Sequence, residues 1–286
     1  MKKIKICAGY DSSENLTNRL IKQFKTQDID LSNIEFVYDD SYDIIVFFNY
    51  IIGEVNSNKK GYIFPHEPSW AGSHQRYIPD NVTVFGFNKE LYSQNCETDI
   101  AHTFYGGRGP WVDKLDFWNY NNLKNIKFEK NKCISSSITT LSTDYGGTCL
   151  YPQRFKINKL VSKLDYVDYY GGGDCSPMRK DSLINYKFNL VVENEHQDNW
   201  ITEKFYDGIL TETVPIYFGC KNIKELYSED GYILINDIEN INEIENLLFE
   251  IKNNCDEIYN QKIEGLRKIK ERYFRENNLL KKIIEL

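Results

Sequence analysis

The chain has 286 residues, which is enough for one large domain or two of ordinary size, and we expect two domains. Hydrophobic residues make up 41% and charged residues 27%, a composition typical of soluble globular proteins that excludes disordered and collagen-like chains. The net charge of −7 argues against a surface for duplex nucleic acid, so we expect no nucleic-acid partner.

Hydrophobic patterning and cysteine spacing predict a cytoplasmic protein. No run approaches the roughly 18 apolar residues that a membrane span needs, and the first residues lack the apolar core of a secretory signal. The seven cysteines include no C-x-x-C pair. We therefore expect buried reduced thiols rather than a disulfide framework.

The first part of the chain alternates short apolar runs with a helical pattern, as a doubly wound parallel sheet does. Leu16, Leu20 and Phe24 lie four residues apart and predict a helix that a serine or asparagine caps. The run at 42–48 is continuously apolar, which indicates a central strand buried on both faces. The other predicted strands of this lobe are 3–9, 34–38, 62–64 and 82–87.

A connection rich in Gly, Asn and aromatic residues, at 105–125, precedes a second alternation of the same kind. The predicted strands there are 132–138, 166–171, 187–192, 214–218 and 232–235, and the predicted helices are 151–164, 182–186 and 202–210. We predict an α/β fold of two Rossmann-like lobes facing a cleft, with residues 1–120 in the first lobe and 121–260 in the second.

Residues 261–286 form the third predicted segment, an amphipathic helix with a basic far side. Its apolar residues recur three, four or seven positions apart: Ile263, Leu266, Ile269, Tyr273, Leu280 and Ile283. We favour packing against the lobes as the role of this helix. The alternative is weak peripheral contact with anionic lipid.

The stretch "VVENEHQDNWITEK" places polar side chains at the carboxyl end of a predicted strand, where open α/β sheets bind ligands. This position predicts a site for a nucleotide diphosphate. Lys204 would neutralise phosphate, Glu193 or Glu203 would accept hydrogen bonds from sugar hydroxyls, and Trp200 would offer an apolar face. The alternative is that they are helix first-turn residues and a packing aromatic. The donor-binding candidates are Arg154, Glu193, Asn194, Trp200, Thr202, Glu203 and Lys204.

Residues 186–219, "YKFNLVVENEHQDNWITEKFYDGILTETVPIYFG", resemble the donor-lobe signature of the α-1,3/4-fucosyltransferases. That signature has a strand, E-N, a short acidic insert, an aromatic residue before I-T-E-K, a helix and a V-P-I/V-aromatic-x-G strand. The resemblance extends to "CISSSIT", to Arg154 in "QRFKINKL" and to "VDYYGGG". Trp200 stands where the family usually has tyrosine.

The resemblance implies a GT-B type glycosyltransferase whose second lobe binds the donor. It implies inverting, metal-independent transfer of L-fucose from GDP-fucose to a hydroxyl of a glycan or glycolipid acceptor. Arg154 and Lys204 would offset the pyrophosphate charge, and Glu203 would bind ribose or sugar hydroxyls. The alternatives are another GDP-linked sugar on the same fold and a catalytically silent carbohydrate- or nucleotide-binding protein.

The stretch "YIFPHEPSW" supplies the candidate base in the first lobe, and it resembles the family's first-lobe motif of a glutamate soon after an apolar strand. We predict that Glu67 takes the acceptor proton, because glutamate is ionised at neutral pH and can accept it. His66 is the rival base or an orienting residue. His66, Ser69 and His74 are the candidate acceptor-side residues.

We expect no metal or other cofactor. The D-x-D pattern at Asp28 to Asp30 follows a predicted helix and precedes a loop, which favours a solvated turn over a cation site. Arg154 and Lys204 would instead stabilise the leaving group.

Overall fold

The computed structural model describes residues 1–71, 78–92, 95–104, 117–171 and 180–286, and it contains two compact units. Unit 1 consists of Met1–Phe104, Val112–Lys124 and Phe274–Leu286, and unit 2 consists of Tyr105–Trp111 and Asn125–Tyr273. Each unit has its own parallel β-sheet. The prediction of two α/β lobes is confirmed.

The sheet of unit 1 has the strand order β2-β1-β3-β4-β5-β6, and all of its strand pairs are parallel. The strands are β1 (Lys2–Ala8), β2 (Ile34–Phe36), β3 (Ile44–Phe48), β4 (Lys60–Phe64), β5 (Val82–Gly86) and β6 (Cys96–Thr98). Every residue of β3 is buried, as the apolar run predicted for a central strand.

Helix α1 (Ser13–Phe24) joins β1 to β2, and α2 (Tyr120–Asn125) follows later in the chain. Ser12 caps α1 because its hydroxyl accepts a hydrogen bond from the backbone N–H of Asn15 at 3.2 Å. The predicted apolar stripe of α1 is buried, and it includes Leu16, Leu20 and Phe24.

The sheet of unit 2 has the order β11-β10-β9-β7-β8, again with parallel pairs. The strands are β7 (Lys132–Ser136), β8 (Val167–Tyr169), β9 (Tyr186–Val192), β10 (Val214–Phe218) and β11 (Ile233–Leu234), and the helices are α3 (Tyr151–Val161), α4 (Glu203–Leu210), α5 (Ile223–Leu226), α6 (Ile241–Asn253) and α7 (Cys255–Arg275). From β7 the chain moves to β8 in one direction, and from β9 it moves to β10 and β11 in the other. The order therefore reverses between β7 and β9.

Residues 182–186, predicted as a helix, instead form turns and the start of β9.

The helix predicted over 261–286 is interrupted, because α7 ends at Arg275 and three residues separate it from α8 (Leu279–Glu285). Asn278 caps α8 and donates a hydrogen bond to the carbonyl of Phe24 at 2.7 Å. The whole predicted apolar stripe, from Ile263 to Ile283, is buried. This burial favours packing as the role of the segment, as the apolar pattern predicted. None of the helices in the described ranges is long and apolar enough to span a membrane.

Cys133 on β7 and Cys255 at the start of α7 form a disulfide bond, with their Cα atoms 6.1 Å apart. The prediction of reduced thiols is wrong for this pair. The two residues are separated by 122 positions, so only the packing of α7 near β7 reveals the bridge. Cys7, Cys96, Cys149 and Cys220 are free thiols, and Cys175 lies outside the described residues.

We predict that replacing both Cys133 and Cys255 with serine lowers the free energy of unfolding of unit 2 by about 2–5 kcal/mol, because the bridge closes a long loop in the unfolded chain. A urea titration, monitored by hydrogen exchange at the backbone amides of β7 and β9, measures this change. Cys96→Ser in unit 1 is the control. An unchanged urea midpoint in the double variant would contradict the stabilising role.

Candidate functional site

The strand order of unit 2 reverses between β7 and β9. Open α/β sheets bind ligands beyond the carboxyl ends of the strands at such a point, so the ends of β7 and β9 are the candidate site of this sheet. Two loops border it, at 137–150 and 193–202. They are joined by backbone hydrogen bonds from Leu150 to Asn194 (3.0 Å) and from His196 to Thr148 (2.8 Å). The Thr148 hydroxyl also donates to Glu195 Oε1 at 2.7 Å. The two loops thus support each other.

Glu193, the first residue after β9, is 0% exposed, and its carboxylate holds the second loop in place. Oε1 accepts from the backbone N–H of Thr202 at 2.9 Å, and Oε2 accepts from the Thr202 hydroxyl at 2.7 Å. Burial raises the pKa of Glu193, while the ammonium group of Lys204, 3.6 Å from Oε2, acts in the opposite direction. Both oxygens bind protein groups, so Glu193 positions the loop in this structure.

Gly219, the last residue of the V-P-I-Y-F-G stretch, follows β10 directly, and the close packing there explains why it is a glycine. A Cβ atom built on Gly219 would lie 2.6 Å from the Cβ of Glu193 and 2.9 Å from the Tyr217 hydroxyl. Any larger residue would therefore displace the buried carboxylate.

The first turn of α4 carries the accessible charges of the site. Thr202 caps the helix by accepting from the backbone N–H of Lys204 at 3.3 Å. Lys204 Nζ donates to the Thr202 hydroxyl at 3.0 Å and to Glu203 Oε1 at 3.1 Å. The side chains of Glu203 and Lys204 are each 17% exposed. This ammonium group, together with the positive end of the helix dipole, can attract an anion.

Arg154 lies on α3 and is buried. Its Nη2 donates to the Thr139 hydroxyl at 3.1 Å, and its guanidinium carbon is 5.3 Å from the centre of the Tyr151 ring. One turn further along α3, Asn158 donates to the carbonyl of Ile138 at 3.0 Å. Helix α3 therefore presents Arg154 to the segment that follows β7.

Trp200 and Asn194 hold the loop together. The indole is 1% exposed, and its N–H donates to Asn194 Oδ1 at 3.0 Å. In this structure Trp200 therefore has the packing role that the sequence left open as the alternative to a ligand contact. Sequence alone did not distinguish the two roles, since an aromatic residue in a loop before a helix fits either.

In unit 1, Glu67 is half-buried in the loop that follows β4. His66 is buried instead, with its ring 4.6 Å from the ring of Phe48 and its backbone N–H bonded to Asn49 Oδ1 at 2.6 Å. His66 is therefore a core residue in this structure rather than an accessible acceptor-side group. Ser69 begins a short 3₁₀ turn, and His74 lies outside the described residues.

The D-x-D pattern lies in a turn. Asp28 accepts from the Thr26 hydroxyl, and Asp30 accepts from the backbone N–H of Ser32 at 2.8 Å. Within the described ranges, no group of three His, Cys, Asp or Glu side chains could hold a metal ion.

The family model for glycosyltransferase family 10 (fucosyltransferase), C-terminal part, matches residues 129–272, half of the chain. The chain belongs to glycosyltransferase family 10. The match covers the described parts of the unit 2 sheet, Arg154 and the loop from Glu193 to Lys204.

This family 10 chain has curated relatives that match over limited lengths. A putative fucosyltransferase-like protein of Arabidopsis thaliana is 31% identical over 80 residues, which are 26% of this chain and 16% of that protein. An α-(1,3)-fucosyltransferase of Helicobacter pylori is 31% identical over 65 residues, or 23% and 14%. A GDP-fucose protein O-fucosyltransferase 3 of Canis lupus familiaris is 32% identical over 141 residues, or 48% and 27%. The chain thus aligns with less than a third of each relative.

Solved structures resemble the whole family 10 chain in fold. An α1,3-fucosyltransferase with GDP has a TM-score of 0.53 at 14% identity, covering 100% of this chain and 90% of that one. The T4 phage β-glucosyltransferase also has a TM-score of 0.53, at 12% identity, covering 99% and 100%. At such identities the likeness concerns the fold alone, which is the two-unit, parallel-sheet GT-B type.

We predict that Thr202→Val in this family 10 chain lowers the free energy of unfolding of unit 2 by about 1–3 kcal/mol, because it removes the helix cap and leaves Glu193 Oε2 without its donor hydroxyl. Urea denaturation measures the loss. Thr202→Ser keeps the hydroxyl and should stay near wild type. Equal stability of the valine and serine variants would contradict the role of this hydrogen bond.

Proposed function

We propose that the protein is an inverting, metal-independent fucosyltransferase that moves L-fucose from GDP-fucose to a hydroxyl of a glycan or glycolipid acceptor. The observation that carries this proposal is a pair of cations on the helices that follow the two strands at the reversal of unit 2. Arg154 lies on α3, the helix after β7, and Lys204 lies on α4, the helix after β9. Membership of a fucosyltransferase family supports fucose as the transferred sugar.

In the proposed complex, the diphosphate of the donor binds Lys204, Arg154 and the N-terminus of α4. Lys204 is already paired with Glu203 at 3.1 Å, so an incoming phosphate oxygen competes for the same ammonium group. Glu203 then becomes available to accept hydrogen bonds from the ribose or fucose hydroxyls. Glu193, Thr202, Asn194 and Trp200 keep the loop in place.

The proposed chemistry is a single displacement. The acceptor oxygen attacks the anomeric carbon from the face opposite the diphosphate, and the carboxylate of Glu67 takes the proton of that hydroxyl. The bond to the diphosphate breaks, and GDP leaves with the electron pair. Arg154 and Lys204 stabilise the negative charge that develops on the leaving oxygen.

The sugar and the acceptor are separate parts of the proposal. Another GDP-linked sugar is the alternative donor, and calorimetric titration with GDP-fucose and GDP-mannose distinguishes the two. The name of the O-fucosyltransferase relative makes a protein hydroxyl an alternative acceptor, so the transfer panel should include serine and threonine peptides beside glycans. A wild-type protein that binds GDP but transfers to none of them would favour the catalytically silent interpretation.

We predict that Lys204→Met raises the dissociation constant for GDP by about 10- to 100-fold, because it removes a charge-assisted hydrogen bond to phosphate. Isothermal titration calorimetry measures this change. Lys159→Met removes an exposed lysine of the same unit and should bind GDP as wild type does. Unchanged GDP affinity in Lys204→Met would contradict the proposed donor site.

We predict that Glu67→Gln lowers the transfer rate by about 10²- to 10⁴-fold while the GDP-fucose dissociation constant stays near wild type, since the amide cannot accept the proton. Release of GDP in the presence of a working acceptor measures the rate. Glu54→Gln is the control, because Glu54 is an exposed glutamate of the same unit. Undiminished transfer would show that Glu67 is not the base.

A further inference from the structure

Two exposed tyrosines stand at the carboxyl edge of the unit 1 sheet. Tyr10 follows β1 and is 40% exposed, and Tyr50 follows β3 and is 39% exposed. Single exposed aromatic residues are common on protein surfaces, so the position of this pair in the sheet, rather than exposure alone, carries the argument. Neither residue belongs to the site predicted from the sequence.

The register of the sheet places these tyrosines on the same edge of the sheet as the proposed base. Ala8, Phe48 and Phe64 form one row of paired Cα positions across β1, β3 and β4. Tyr10 and Tyr50 come two residues beyond this row, and Glu67 comes three residues beyond it. The three side chains therefore follow three adjacent strand ends on one edge of unit 1.

A hydrogen bond joins the loops that carry Tyr50 and Glu67. Asn49, next to Tyr50, accepts from the backbone N–H of His66, next to Glu67, at 2.6 Å. Asn49 has a φ of +76°, in the left-handed region that is sparsely populated for residues other than glycine. The chain thus leaves β3 through a left-handed residue, Asn49, directly before Tyr50.

Contacts around Gly9 place the two tyrosines close together. The Tyr50 ring lies against Gly9, so a Cβ atom built there would be 3.2 Å from its Cζ and would overlap its hydroxyl. Tyr10 is the next residue, at the tip of a turn closed by the bridge between Ala8 and Asp11. Asp11 fixes that turn to the start of α1 by accepting from the backbone N–H of Ser12 at 2.8 Å.

We propose that Tyr10 and Tyr50 bind the acceptor as a neutral sugar ring, stacked on at least one of their aromatic faces beside Glu67. One face of a pyranose carries C–H groups and is apolar, while its edge carries hydroxyls. An aromatic ring presents an electron-rich face that suits the C–H groups, and the carboxylate suits the hydroxyl. This inference rests on the proposed function and identifies residues that select the acceptor ring.

The test uses the full chain, GDP-fucose and a panel of methyl α- and β-glycosides of hexoses and N-acetylhexosamines. For the acceptor with the highest rate, Tyr50→Ala is expected to raise KM by about tenfold, because an aromatic contact is lost. The GDP dissociation constant and the slow hydrolysis of GDP-fucose by water are expected to stay unchanged. Tyr50→Phe keeps the ring and should resemble wild type, and Tyr10→Ala should act in the same direction as Tyr50→Ala.

Gly9→Ala tests the geometry independently, because its methyl group would displace the Tyr50 ring and should also raise KM. Tyr38→Ala is the matched control, since Tyr38 is an exposed tyrosine that follows β2, on the side of β1 away from β4. Melting temperatures near wild type verify that each variant is folded. An unchanged KM in the Tyr10→Ala/Tyr50→Ala double variant would overturn the inference and leave the proposed function intact. Absence of transfer by the wild-type protein would contradict both.

Discussion

The hydrogen-bonded carboxylate of Glu193 is the interaction on which the loop between β9 and α4 depends. A carboxylate removed from water is costly unless hydrogen bonds and an opposite charge compensate it. Thr202 supplies two hydrogen bonds and Lys204 the charge, so the chain from the end of β9 to the start of α4 has little freedom. The same requirement explains Gly219, since only a glycine leaves room for the Glu193 side chain.

The two units share a reversal of strand order, but the side chains that follow the strands there differ in chemistry. In each sheet the strand order reverses beside the first strand, and the polar or aromatic residues of interest follow the strands on either side of the reversal. In unit 2 these residues include the cations Arg154 and Lys204, which would suit a diphosphate. In unit 1 they are Tyr10 and Tyr50, with Glu67 after the next strand, β4, and this set would suit a neutral ring with a reactive hydroxyl.

Much of the fold could be predicted from the sequence, because parallel strands are continuous apolar runs and α1 has both its apolar stripe and its serine cap. The directions of single side chains could not. Trp200 and His66 fit an exposed or a buried role equally well on the linear chain, and tertiary packing made both of them core residues. The bridge between Cys133 and Cys255 had no local signal, since it depends on how α7 packs. Tyr10 and Tyr50 were missed because their proximity depends on the register of β1 and β3 and on Gly9.

Lys204 forms two ion pairs, with Glu193 and with Glu203, and they differ in how much free energy it costs to break them. This difference predicts which pair a donor would break in the proposed complex. Glu193 is fully buried, so separating it from Lys204 would leave a buried charge uncompensated at a cost of several kcal/mol. Glu203 is partly exposed, and pairs that water can reach contribute only about 0–1 kcal/mol. A diphosphate would therefore replace Glu203 and leave Glu193 in place. In the proposed complex Lys204 would keep its position while its exposed partner changes, so donor binding and the release of Glu203 toward the sugar would become one event.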